Sequence, residues 1–279
     1  MSKENGVKKV YLYILGSKNK EDRIDTAVPY RINNDTLFFG PCKKDIRKEI
    51  KEDFLKNKEY FDLKSTAIEI YLVGINPSKI KNAPRKLLFA GKIKEIFTFK
   101  KAWEYFNERI NNVNDLDNSN IKKMINHKSS PLHLKPISNG YEHVSEEHEK
   151  SWIGDLSSFS FSNEEKEEIY KRKYIERFYR GKEIPFDRDC CFLLENLFFS
   201  IKGETYVQMD DELINFIKKR LELNHTKRVS EHNGPDISSP FGYCINKKKY
   251  GRGFTLQFEN ENAITFISLI QKKIKDTSR

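Results

Sequence analysis

Cysteine is scarce in this sequence. Four occur in 279 residues (Cys42, Cys190, Cys191 and Cys244), and no two are spaced Cys-x-x-Cys. That excludes a secreted disulfide framework and a zinc ribbon, and it fits a reducing, cytoplasmic setting. Cys190 and Cys191 lie inside an apolar run and read as core packing residues. Tryptophan is scarcer still, with only Trp103 and Trp152. No long uncharged apolar run exists and the mean hydropathy is -0.73, which argues against a membrane-spanning helix. The opening residues run into Val10-Tyr11-Leu12-Tyr13 without an apolar leader or a small-residue cleavage site, so they read as a first strand. The P-loop, the Gly-x-Ser-x-Gly elbow and the Rossmann fingerprint are missing. Pro235-Asp236 would suit a metal-dependent nuclease, but residues 254–262 hold no lysine to complete the set.

What the chain has is aromatics and positive charge. Twenty Phe and thirteen Tyr are too many for a disordered chain, even with 33% charged residues. Lys plus Arg number 51 against 41 Asp plus Glu, a net charge of +10. A basic, aromatic-rich chain favours a polyanion with exposed bases, so nucleic acid is the expected partner. A membrane is not, and no cofactor is implied.

Periodicity gives a mixed order of elements. Residues 8–15, 66–76, 85–99, 190–200 and 254–258 read as strands, and Gly91 marks a bulge or close approach. The second and third form a hairpin with a long basic loop. Ile46, Ile50, Phe54 and Leu55 share one helical face, as do Leu213, Phe216, Ile217 and Leu221. Residues 100–110, 163–179 and a stretch from about Ala263 complete the helices, while 16–36 and 111–128 read as loop or linker. The helix holding Ile46 begins among Lys43, Lys44, Arg47, Lys48 and Lys51. Cations there oppose the helix dipole, so tertiary context or an anionic ligand must compensate. Without regular βαβ alternation, the pattern argues for an α+β fold around an antiparallel sheet.

Three groups of residues can carry chemistry. Asp35, Phe38, Phe39 and Gly40 precede Lys43, Lys44 and Arg47 within thirteen residues. A carboxylate accepts a base's amino hydrogens, an aromatic ring stacks on its face, glycine admits a close backbone approach, and cations hold phosphates. Arg85 and Lys86 extend that cationic set from the hairpin. Residues 129–148 hold His133, Tyr141, His143 and His148, acid–base candidates without the spacing of a metal site. Asp187 and Asp189 flank Arg188 before an apolar strand, where paired carboxylates or a capping ion pair are both open. No metal set emerges from these groups.

Residues 35–47 (DTLFFGPCKKDIR), 70–76 (IYLVGIN), 85–99 (RKLLFAGKIKEIFTF), 130–136 (SPLHLKP) and 187–199 (DRDCCFLLENLFF) follow in an order that resembles the nucleotide-modification-associated domains of the PUA-like superfamily, with the ASCH, EVE and YTH domains. The likeness covers about two thirds of the chain. It implies a small, bent antiparallel β-barrel with flanking helices, built from about 7–106 plus 187–203. Residues 111–186 would be an insertion or a small second domain, and 204–279 a C-terminal extension. It also implies a nucleic-acid-binding module that recognises a modified or unpaired base in DNA or RNA modification or restriction. With no tryptophan cage, Asp35, Phe38, Phe39, Gly40 and Tyr141 would contact the base. Lys43, Lys44, Arg47, Arg85 and Lys86 would hold phosphates. The alternative is an enzyme acting on a nucleotide or nucleobase through His133, His143, Asp187 and Asp189.

Overall fold

The computed structural model describes residues 7–14, 29–40, 44–56, 68–76, 85–127, 130–145, 160, 162–185, 188–200, 207–222, 227–230 and 255–277. Its centre is a mixed sheet. The strands are β1 (Val7–Ile14), β2 (Tyr30–Arg31), β3 (Thr36–Phe39), β4 (Ile68–Ile75), β5 (Arg85–Phe97), β8 (Cys191–Phe199), β9 (Val207–Met209), β10 (Lys227–Ser230) and β11 (Thr255–Glu259), in the order β10-β11-β1-β4-β5-β8-β3-β2. Strands β6 (Leu134–Ile137) and β7 (Gly140–His143) form a separate hairpin. The helices are α1 (Lys44–Lys56), α2 (Phe99–Asn111), α3 (Asn118–Ile125), α4 (Asn163–Phe178), α5 (Asp211–Glu222) and α6 (Asn260–Thr277). The expected α+β class holds. Two features differ from a small antiparallel barrel. Strands β1 and β4 run parallel, and no pairing among the described residues closes the sheet.

Alternation along each strand sorts the side chains to two faces. From β1, Tyr11 and Tyr13 join Leu37, Phe39, Leu72, Phe192 and Leu194 under Ile46 and Ile50 of α1. Val10 and Leu12 face the other way, onto Leu213 and Ile217 of α5 and Phe266 and Ile270 of α6. A third cluster, with Phe38, Phe97, Phe106, Met124, Leu134 and Phe178, joins α2, α3, the β6–β7 hairpin and α4 to the far end of the sheet. Residues 111–128, read as a linker, thus contain α3, whose Ile121 and Met124 are fully buried.

The sheet is strongly curved. Three strands separate β1 from β3, so a flat sheet would hold them about 19 Å apart. Yet the rings of Tyr13 and Phe39 meet edge-on at 6.1 Å, and Phe39 stacks 6.0 Å from Phe192. The sheet curls around this aromatic centre. Gly91 contributes as its sequence position predicts: the β5–β8 register shifts beside it, and a Cβ there would lie 3.1 Å from the Glu195 carbonyl oxygen. Strand β9 continues the line of β8 along β5. The Ser200 amide bonds to the Leu88 carbonyl at 2.8 Å, and Leu87 then pairs with Val207. Beyond β1, the C-terminal residues add β11 antiparallel to β1, then β10.

Local chemistry sets the helix starts. Thr98 Oγ1 accepts from the Lys101 amide at 3.1 Å and caps α2. At α4, Ser162 and Glu165 form a reciprocal capping box. A buried polar network pins α1 to β1 and β11. Asp53 accepts from the Tyr11 hydroxyl and from the Gln257 amide (3.1 Å), and it pairs with the Lys9 ammonium at 2.9 Å. Burial first, and then Asp53, push the Tyr11 phenol far above its ordinary range.

Candidate functional site

Three sequence-selected residues converge where α1, the start of α2, the β6–β7 hairpin and the turn before β8 meet. These are Arg47, Tyr141 and Asp189. The turn is tight: the amides of Arg188 and Asp189 donate to the Pro185 carbonyl, at 2.8 and 3.2 Å. Its carbonyls then meet the cations of α1. Arg47 Nη1 donates to the Arg188 carbonyl at 2.6 Å and the Cys190 carbonyl at 2.7 Å. Lys51 Nζ donates to the Asp189 carbonyl at 3.0 Å. Tertiary context therefore answers the cations crowded at the start of α1, at least for these two. Arg47 is only 3% exposed, so its expected role as a phosphate ligand gives way to a structural one. The guanidinium had no such partner visible in sequence, because the carbonyls lie more than a hundred residues away.

Asp189 sits at the hinge of this group. Its Oδ1 accepts from the Phe99 amide at 2.7 Å, which satisfies one of the orphan donors at the start of α2. Burial raises its carboxyl above the ordinary range, against the opposing pull of the Phe99 amide, Lys51 and Arg47. Burial likewise pushes up the Cys190 thiol. An aromatic row follows. The Arg47 guanidinium lies 5.2 Å from the Phe99 ring centre, Phe99 meets Tyr141 edge-on at 6.0 Å, and Tyr141 meets Tyr179 at 6.4 Å.

Tyr179 was not selected from sequence. It ends α4 in the left-handed region, at φ 54° and ψ 38°. An aromatic residue rarely adopts that conformation, and such strain persists only when the surroundings fix it. Gly140 helps to fix it: a Cβ there would lie 2.5 Å from the Tyr179 carbonyl oxygen. The nearest sequence signal, Gly181, sits two residues too late to mark Tyr179 as the left-handed position. Burial raises the Tyr179 phenol, opposed by the nearby charges of Arg47, Arg188 and Arg177. Tyr141 is raised by burial and then by Asp189. Arg177 and Arg188 are exposed at the rim. The arrangement is a strained, half-buried tyrosine beside a second tyrosine, a desolvated carboxylate and two exposed guanidinium groups.

The other expected site residues lie elsewhere. Phe38 and Phe39 are fully buried, Phe38 edge-on to Phe106 at 4.7 Å and Phe39 in the aromatic centre. Both pack the core because alternate residues of β3 face its two sides, and neither is placed to stack on a base. Gly40 does serve a close approach, but to protein: a Cβ would lie 1.7 Å from the Pro131 carbonyl oxygen. Asp35 is exposed in the β2–β3 turn, about 17 Å along the strand from Gly40, where its amide donates to Asn33 Oδ1 at 2.9 Å. Arg85 and Lys86 begin the 13-residue β5, whereas Phe99 follows its end, so the strand separates them from the site. Lys86 is half-buried. Lys43, the Lys44 side chain, the Arg85 side chain, Asp187 and His148 lie outside the described residues.

His133 and His143 do meet. Their rings stack at 4.7 Å, 11° from parallel, with Phe178 edge-on to His143 at 5.9 Å. His133 is fully buried, and its Nδ1 donates to the Ser130 carbonyl at 2.6 Å. His143 Nδ1 accepts from the Ser145 amide at 2.9 Å. The backbone thus sets a proton on Nδ1 of His133 and leaves Nδ1 of His143 as an acceptor. Among the described residues, no group of three or more His, Cys, Asp or Glu is placed to hold a metal ion, and no helix is long and apolar enough to cross a membrane.

Comparison with protein-family models, curated proteins and solved structures finds no match to this chain.

Proposed function

We propose that this protein is a cytoplasmic, PUA-like nucleic-acid-binding module that recognises a modified or unpaired base in a DNA or RNA modification or restriction setting. The observation that carries the reading is Tyr179, held in a strained conformation beside Tyr141, Asp189, Arg177 and Arg188. The strongly curved sheet and the net charge of +10 support it. In this reading the base stacks on Tyr179, the carboxyl of Asp189 meets its edge, and Arg177 and Arg188 hold the flanking phosphates. Stacking contributes about 1–3 kcal/mol, enough to offset much of the cost of taking a base out of a duplex.

Fluorescence anisotropy tests it, on single- and double-stranded oligonucleotides with and without base modifications, at two salt concentrations. Tyr179→Ala is expected to weaken binding by about tenfold to a hundredfold at both. Arg188→Ala is expected to lower the salt slope by about 1. Base-blind binding that ignores both substitutions refutes the reading. The stacked imidazoles favour one second reading, an enzyme acting on a nucleotide or nucleobase, with His143 as the acid–base group. Its test is turnover that is lost in His143→Ala while binding persists.

A further inference from the structure

The loop joining α2 to α3 displays two aliphatic side chains almost wholly in water. Val113 is 90% exposed and Leu116 is 99% exposed. A flexible loop would fold such groups inward, but this one is braced. Arg109 grips Asp115 through Nε (2.6 Å) and Nη2 (3.0 Å), and it reaches Asp117 at 2.7 Å. Asn33 Nδ2 also donates to Asp117, at 2.7 Å. Asn118 Nδ2 donates to a cluster of carbonyls, those of Arg109, Ile110 and Asn112. The Asp117 amide donates to Asp115 Oδ1 at 2.8 Å. Arg109 offsets one of the loop's two carboxylate charges, while Asn111, Asn112 and Asn114 stay exposed and Lys122 and Lys123 project from the following helix.

We infer that this loop is a wedge for double-stranded DNA, with Leu116 entering a base step from the minor groove and Val113 lying beside it. The inference rests on the nucleic-acid reading above. Aliphatic side chains inserted between base steps kink a duplex, and asparagine amides suit the acceptors that line the minor groove. Lysines meet the flanking phosphates. The partner is duplex DNA rather than an apolar protein groove because exposed amides and lysines lie around the aliphatic tips, and the two aspartates beside Leu116 are turned onto Arg109. Helix α2 sets the spacing. Phe99, at its start, touches Tyr141, and Arg109, near its end, holds the loop. Its 13 residues span about 20 Å, close to six base steps of 3.4 Å. The wedge therefore acts about half a helical turn from the recognised base, not in the gap that base leaves.

The test uses the full chain and duplexes carrying one mismatched base, with 2-aminopurine placed in turn at each position. A fluorescence rise is expected about six steps from the mismatch. It should disappear in Leu116→Ala, with about tenfold weaker duplex binding, unchanged single-strand affinity and an unchanged melting temperature. A rise that survives Leu116→Ala, or a duplex bound without any rise, overturns the wedge and leaves the base-reading proposal standing. Binding of neither single strands nor duplexes by the wild type overturns both, and the exposed pair is then an anchor for a protein partner.

Discussion

Replacing Arg47 separates a structural cation from a phosphate ligand. In Arg47→Ala, the part-buried carbonyl of Arg188 and the buried carbonyl of Cys190 lose a charged donor at 2.6 and 2.7 Å, and Phe99 loses a guanidinium 5.2 Å from its ring centre. A hydrogen bond to a charged group contributes about 1.5–3 kcal/mol, and a desolvated cation–π contact up to about 2 kcal/mol. Allowing for relaxation, the loss is about 4 kcal/mol, a large part of the 5–15 kcal/mol typical of a folded domain. Arg47→Lys keeps the charge but not the planar fork, so it recovers about half. Urea unfolding reads both values, with a constant slope showing that stability and not compactness has changed. A phosphate ligand predicts the opposite pattern: normal unfolding and weakened oligonucleotide binding. An Arg47→Ala protein that loses less than about 1 kcal/mol and binds poorly would refute the structural assignment.

Three further substitutions probe the frame around the site. Gly40→Ala drives a methyl group into the Pro131 backbone, 1.7 Å from its carbonyl oxygen, and is expected to cost about 3 kcal/mol or to prevent folding, as read by thermal unfolding. Asp53→Ala takes the acceptor from the Tyr11 hydroxyl and leaves Lys9 and Gln257 with Glu259 in its place, and is expected to cost about 3 kcal/mol, with Asp53→Asn milder; equal losses would show that the charge contributes nothing. Burial alone would raise the Glu69 carboxyl, but Lys92, Lys8 and the Tyr71 hydroxyl together bring it from 4.5 down to about 2. Because its pKa is lower folded than unfolded, its ionised pairing stabilises above pH 4.5 and is lost as the pH falls toward 2. Glu69→Gln should therefore cost about 1–2 kcal/mol at pH 7, after allowance for solvent screening, with the gap closing through that window. A gap independent of pH would refute the assignment.

Local patterns carried much of the fold. The strand at β1, the β4–β5 hairpin, the apolar faces of α1 and α5 and the role of Gly91 all follow from periodicity or backbone freedom within a few residues. Those signals are local, so sequence suffices to read them. Strand β3 escaped because four residues are too few for a period, and its pairing with β8 spans more than 150 residues. The parallel pairing of β1 and β4 escaped for the same reason, since direction depends on where the intervening chain travels.

The candidate site divides in the same way. Composition determined that the protein is basic, aromatic and cysteine-poor, and local groupings selected Tyr141, Arg47 and Asp189 as residues worth following. Only the tertiary structure decided their roles. It buried Phe38 and Phe39 on opposite faces of one strand and turned Arg47 inward to carbonyls that needed a donor. It also brought forward Tyr179, which no motif marks. The physical reason is that a residue's type fixes which interactions it can make. Whether a phenylalanine meets a base or a core, and whether an arginine meets phosphate or peptide, depends on which distant backbone lies within about 3 Å once the sheet has curled.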